Sequence, residues 1–257
     1  MAELPTTLDE AIARAREATR AALDDGHRLV QIELVFPELK AQPIAEQFLP
    51  VLSDYGEGLR IFFPDMGAAA LAKRDWGDRP FQIDALSSRR VPVEEKIQPE
   101  DRCFLVIEPS SVEVNEVEKL YRAAEDRPVI LLLPRLESVA TVGIGLAARQ
   151  LRERFLSKIE SCYYVRPLEG AALSRCYPEP WQVWIETEQD GYQCIAELPR
   201  KPVGEELDRI LTEATMTPEE RQRLAEEQQA QQPPQPRQRQ GQGFFAEIQK
   251  FLRALSQ

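Results

Sequence analysis

Apolar residues along this chain recur with two periods that take turns. Leu8, Ile12, Ala15, Thr19, Ala22 and Leu23 follow helical spacing. Thr7-Leu8-Asp9-Glu10 puts a hydroxyl at the N-cap with Glu three residues on, and Gly26 supplies a stop. Residues 29–36 then form a run rich in branched side chains, closed by Pro37, which predicts a strand. Helical spacing returns over 44–53. A second strand is expected at 59–63, closed by Pro64, with a helix over 65–73. The same alternation predicts a strand at 103–108 closed by Pro109, a helix at 112–124, and a strand at 129–133 closed by Pro134. A longer helix follows, with Ile144, Ala148, Leu151, Phe155 and Ile159 on one face. Strands that alternate with helices, several of them continuously apolar, predict a mostly parallel sheet covered on both sides.

After residue 159 the pattern shortens. Strands are expected at 163–167, 171–177, 181–187 and 192–198, separated by Glu169-Gly170, Pro178-Glu179-Pro180 and Asp190-Gly191. Asp-Gly is a strong hairpin signal, so this stretch reads as an antiparallel extension of the same sheet, closed by a helix over 205–213. The expected fold class is therefore α/β and three-layered, a mostly parallel sheet with an antiparallel C-terminal extension, occupying residues 1–215. Residues 216–243 form a Gln/Pro-rich linker whose QQPPQPRQRQGQG core buries too little apolar surface to offset its ordering entropy. Residues 244–257 restore helical spacing, with Phe244, Phe245, Ile248, Phe251, Leu252 and Leu255 on one face. A tethered amphipathic helix of this kind is an interaction element. It suits docking on a partner, on a membrane surface, or back on its own domain.

Charge narrows the function classes. Over 257 residues the formal net charge is -11, which repels the phosphates that dominate nucleic-acid affinity, so no nucleic-acid partner is expected. Four cysteines lie far apart with no CxxC pair and read as small buried hydrophobes in a reducing compartment. No basic start followed by an apolar core marks a secretory signal, and no apolar run approaches the roughly 20 residues of a spanning helix. The expected location is cytoplasmic, with any membrane contact peripheral.

Candidate chemistry gathers where strands end. Phe36-Pro37, Phe63-Pro64, Glu108-Pro109 and Leu133-Pro134 close four strands. In a parallel sheet those ends share the edge at which open α/β sheets bind ligands. Glu38, Asp65, Ser110, Ser111 and Arg135 are delivered there, either as a small-molecule or phosphate site or as plain strand ends and helix caps. Val142-Gly143-Ile144-Gly145 precedes a helix carrying Arg149, Arg152 and Arg154, and glycines before a helix can present N–H groups to an anion. This is neither a dinucleotide fingerprint nor a phosphate-binding loop, and Arg149 could equally pair with Glu153. His27, the only histidine, falls at the start of the first strand, which removes histidine triads and His-rich zinc sites. No carboxylate pair stands out, so neither metal nor cofactor is expected. Arg74 and Trp76, and Arg175 and Trp181, combine arginine with tryptophan near turns. They form either local ion pairs beside a core Trp or a recognition surface.

Several segments resemble a known family. These are Leu4-Pro5, Phe36-Pro37-Glu38-Leu39, residues 63–71 (FPDMGAAAL), Arg74-Asp75-Trp76-Gly77, Val142-Gly143-Ile144-Gly145, the Arg149/Arg152/Arg154-Phe155 stretch, and Arg175-Cys176-Tyr177-Pro178 with Pro180-Trp181-Gln182-Val183. In order, over about residues 4–200, they resemble an uncharacterised domain family shared by cyanobacteria and plastids. Its plant members include the low photosystem II accumulation factor, and a related domain is joined to a plastid adenylate kinase. The family carries no established catalytic residues, so none transfer. The resemblance implies a non-catalytic assembly factor at the thylakoid surface, whose partners are photosystem II assembly intermediates or their chaperones. The sequence departs from the plant members in showing no plastid transit peptide, which would fit a bacterial protein. The fusion to a kinase motivates the alternative of a nucleotide- or phosphate-ester-binding domain using the sheet edge.

Overall fold

The alternation of periods becomes one nine-stranded sheet with helices on both faces. The computed structural model describes residues 3–88, 91–136, 146–187 and 191–216. The chain through Leu211 forms one compact unit; a second unit begins at Thr212 and is described only to Met216. The linker and amphipathic helix expected after that point lie outside the described residues.

α1 (Leu8–Asp24) begins where Thr7 caps it, the Thr7 hydroxyl accepting from the Glu10 N–H at 3.1 Å. The Glu10 carboxylate reaches back to the Thr6 N–H, at 2.9 Å, rather than to Thr7 itself. The helix ends at Gly26, whose φ of 93° favours glycine. There follow β1 (Leu29–Leu34), α2 (Ala41–Phe48), β2 (Leu59–Phe63), α3 (Met66–Trp76), β3 (Gln82–Ala85) and α4 (Val93–Lys96). Then come β4 (Cys103–Ile107), α5 (Val114–Ala124), β5 (Val129–Leu132) and α6 (Leu146–Arg154). The extension is β6 (Glu160–Leu168), β7 (Ala171–Cys176), β8 (Trp181–Glu186), β9 (Tyr192–Leu198) and α7 (Glu205–Thr215).

Strand order is β3-β2-β4-β5-β1-β6-β7-β8-β9. Every neighbouring pair from β3 through β6 is parallel, and every pair from β6 to β9 is antiparallel. This is the expected three-layer fold. One face buries Ile32, Ile61, Leu105 and Ile130 beneath α1, α2 and α3. The other buries Phe62, Phe104, Val106 and Leu131 beneath α4, α5 and α6. Over the extension, α7 covers Tyr164, Leu173, Trp181 and Val183 with Leu207 and Ile210. Each such fully buried apolar side chain stabilises the fold by about 1.5–3 kcal/mol.

Three elements differ from expectation. The helix expected over 44–53 stops at Phe48, and Pro50 leads a 3-10 stretch, Leu49–Gly58, broken at Gly56 by a φ of 51°. β3 has no counterpart in the sequence reading, because four residues on a sheet edge are too few to show a period. The long helix expected through Ile159 ends at Arg154. Phe155 leaves helical geometry and a single turn, Leu156–Lys158, hands the chain to β6, so Ile159 is extended. Leu151 and Phe155 keep the expected buried face. Ile144 lies outside the described residues.

The β2–β4 connection is locked by a buried ion pair. Arg60 Nε donates to Asp101 Oδ2 at 2.7 Å, and the same oxygen accepts from the Gln98 N–H at 2.7 Å. Both side chains are almost fully buried, so removing one strands a charge without water. Asp101→Ala should therefore cost about 3–5 kcal/mol, read as a fall in the urea midpoint at constant slope. The double change Arg60→Met with Asp101→Leu should fall closer to wild type than either single change.

Candidate functional site

The four proline-ended strands are β1, β2, β4 and β5, and all are parallel, so their ends do share one edge. From β1 and β2 the chain leaves toward β3, on the face of α2 and α3. From β3, β4 and β5 it leaves the other way, on the face of α4, α5 and α6. Connections therefore leave to opposite faces at three neighbouring pairs, β2/β3, β2/β4 and β1/β5, and such switch points are where open α/β sheets form crevices.

The β1/β5 point holds a cleft of about 680 Å³. Phe36, Leu39, Leu133, Pro134 and Tyr164 give it apolar walls, and Glu33, Glu38 and Arg135 line it as well. A smaller hollow of about 220 Å³ adjoins it through Glu33 and Arg135 and adds Gln31 and Lys201. The backbone is strained around this cleft. Glu38 (φ 60°), Glu108 (φ 51°) and Leu133 (φ 54°) adopt left-handed geometry, and the latter two immediately precede proline, where sterics favour extended chain. Each such residue costs on the order of 1–3 kcal/mol. The result is that the exits of β4 and β5 run side by side. The Glu108 N–H donates to Leu132 O and the Arg135 N–H to Pro109 O, both at 2.7 Å, and Ser110 bridges Arg135 in parallel.

Glu33 and Arg135 are paired within the cleft, while Glu38 is exposed at its rim. Glu33 accepts from Gln31 Nε2 at 2.8 Å and from the Ser161 hydroxyl at 3.4 Å, with Lys201 Nζ 3.7 Å away. That ammonium also sits 3.8 Å from the Tyr164 ring centroid and 5.4 Å from that of Trp181, a cation–π arrangement. Burial, with Glu33 second, pushes the Tyr164 hydroxyl up, so it stays a neutral phenol. Arg135 pairs with Glu108. Among the described residues there is no cluster of three His, Cys, Asp or Glu side chains that could hold a metal.

At the β2/β4 point the expected ligand residues serve the fold. Asp65 caps α3, accepting from the Gly67 N–H at 2.7 Å and the Ala68 N–H at 3.0 Å. Ser110 donates its hydroxyl to Glu113 at 2.6 Å and accepts from the Val112 N–H at 3.1 Å, organising the turn into α5. Ser111 beside it is half-buried. Arg149 and Arg152 are exposed on α6, while Arg154 grips buried Glu118 through Nε at 3.0 Å and a second nitrogen at 2.9 Å. The glycines at 143 and 145 lie outside the described residues, as do Phe244, Phe245, Ile248, Phe251, Leu252 and Leu255.

Of the Arg/Trp candidates, Arg74 makes an exposed pair with Asp75 at 2.8 Å, and Trp76 is buried against Phe63 and Phe81. Arg175 pairs with Glu160 and lies 5.6 Å from the centroid of the Trp181 ring, itself buried on Tyr164. Both tryptophans thus belong to the interior. The sequence reading passed over Gln31, Glu33, Ser161 and Lys201. One signal was present: in Val30-Gln31-Ile32-Glu33-Leu34 polar residues alternate within a central strand, which marks a strip of one face left uncovered.

Residues 5–209 match the protein family described as Domain of unknown function (DUF1995).

Two outcomes check this account. Asp65→Ala should lower stability by about 1 kcal/mol through the lost cap, and a thermal-shift panel of nucleotides should be equally flat before and after the change. Burial pushes the Cys103 and Cys162 thiols up to about 12. At pH 8 both should resist iodoacetamide in the native protein and react after unfolding in urea, read by intact mass.

Proposed function

The chain belongs to this uncharacterised family, and we propose that it is a non-catalytic assembly factor for photosynthetic membrane complexes. On this reading it acts at the thylakoid surface on the photosystem II core-antenna protein, through assembly intermediates or their chaperones. One observation carries the binding role. At the edge where an α/β sheet conducts its chemistry, the cleft has apolar walls, while Asp65, Ser110, Glu33 and Arg135 are engaged by the fold. Such a cleft can hold an apolar group and offers no paired nucleophile and base to transform it. The resemblance of the Phe63–Leu71, Arg74–Gly77 and Arg175–Val183 segments to the family that includes the plant low photosystem II accumulation factor supports the identity of the complex. No described helix is long and apolar enough to cross a membrane, which agrees with action from the surface.

Phosphate-ester binding finds less support, because at the β2/β4 point Asp65 is already engaged as the cap of α3 and Ser110 by Glu113 and the Val112 N–H. The deciding measurement is crosslinking and pull-down from thylakoids with the full-length chain and with a version ending at Gln242. Photosystem II assembly intermediates should be recovered with the full-length chain. Equal recovery by the shortened version would assign recognition to the α/β unit. Recovery by neither would overturn the reading.

A further inference from the structure

Large apolar side chains that remain exposed are concentrated at one end of the sheet. Nine are exposed among the described residues, and six of them, Val35, Met66, Val91, Val112, Leu146 and Tyr192, mark this end. Val35, Met66, Val91, Val112 and Leu146 follow β1, β2, β3, β4 and β5 respectively, each in the connection or first helical turn leaving a parallel strand. Tyr192 pairs with Glu186, the last residue of β8, and the two antiparallel steps from β6 bring that end to the same edge. Exposure is high where the fold has least need of an apolar residue: 61% at Met66, 72% at Leu146 and 81% at Val112. Scattered apolar residues need no explanation, but their gathering along one edge marks an interaction surface. Val91 and Val112 also share a hollow of about 580 Å³, and Val35 lines the β1/β5 cleft.

The length of the row suggests its occupant. From β3 to β9 the edge crosses eight inter-strand spacings, roughly 38 Å. A helix of about 20 apolar residues is roughly 30 Å long. Charge then separates a protein from a lipid surface. A peripheral protein held by anionic lipid needs a cluster of about 4–8 Lys or Arg, whereas this chain carries a net charge of -11, and the cations lining the hollows at this edge, Lys119, Arg135 and Lys201, each sit beside a carboxylate, Glu116, Glu108 and Glu33 respectively. An acidic protein instead favours an apolar segment bordered by cations, as cytoplasmic ends of membrane helices are.

We propose that this edge receives an apolar helical segment of a membrane-protein client flanked by Lys or Arg. The inference rests on the assembly reading and names the surface and the class of client segment. Its test uses the full chain and a labelled Leu/Ala helical peptide with lysine flanks, followed by fluorescence anisotropy. The peptide should bind. Glutamate flanks in place of lysine should weaken binding at least tenfold, and so should Met66→Asp combined with Val112→Asp. Both positions are exposed, so the variant should keep the wild-type circular dichroism spectrum and melting curve; if it does not, Met66→Ser with Val112→Ser makes the same comparison. Equal peptide binding by the folded variant overturns the proposal. So does flotation of the wild type, but not the variant, with phosphatidylglycerol vesicles, which would make the edge a lipid-docking surface. A failed thylakoid pull-down beside intact peptide binding would remove the photosystem assignment and leave this surface standing.

Discussion

Parallel strands in register must shed their ladders together, and this constraint organises the molecule. β2, β4 and β5 pair with nearly matched ends, Phe62 with Val106 and Ile107 with Leu132, and β1 runs two residues past its last partner in β5, so the chain has to turn away four times along one edge. Proline at each exit removes the N–H that would extend the ladder. The order of strands then decides where the turns separate. Because the connection from β1 runs to one face of the sheet and that from β5 to the other, the loops part at β1/β5 and leave a cleft.

At this edge the demands of folding and of chemistry compete for the same residues. A carboxylate or hydroxyl at the start of a helix satisfies orphan N–H groups for about 1 kcal/mol, and Asp65 is held in that work by two backbone amides, while Ser110 is held in the turn before α5. Left-handed geometry at Glu38, Glu108 and Leu133 runs against stability by a similar or larger amount. What those strained positions secure is local shape. They align the exits of β4 and β5, bring Arg135 beside Glu108, and set the wall of the cleft at Leu133. Strain spent on shape, with Arg135 and Glu108 held as a pair, suits a surface that binds and holds.

The central strands were legible because each is a continuous apolar run closed by proline, and the extension because its turns carry Gly or Pro. What escaped had physical causes. Ile83 and Ala85 are the only apolar residues of β3, too few to reveal a period. Leu151, Phe155 and Ile159 continue helical spacing perfectly well, yet β6 claims the chain from Glu160, and tertiary pairing overrides local propensity. Residue types at the sheet edge could be read, but their roles could not. Whether Asp65 meets a ligand or two backbone amides depends on geometry two and three residues ahead. Trp76 poses the same ambiguity, resolved only by Phe63 and Phe81, which come from β2 and from the loop before β3. The alternation at Gln31 and Glu33 was visible and carried more information than the branched-residue content that made β1 a strand.

Apolar residues at the beginnings of helices are the least economical feature of the fold. Acidic side chains in a first turn gain roughly 0.3–1 kcal/mol from the helix dipole, and α1 and α7 use them, with Asp9 and Glu10 in one and Glu205 and Glu206 in the other. α3 opens instead on Met66 and α6 on Leu146, each largely exposed and each beside the strand exits. The chain has no shortage of acids, carrying 43 Asp and Glu against 32 Lys and Arg. Their placement away from these turns is therefore a matter of position and not of composition. Core packing does not require Met66, whose exposure of 61% leaves it few neighbours, and capping is already supplied by Asp65. With both internal reasons removed, the pattern points outward, to an apolar partner that covers this edge.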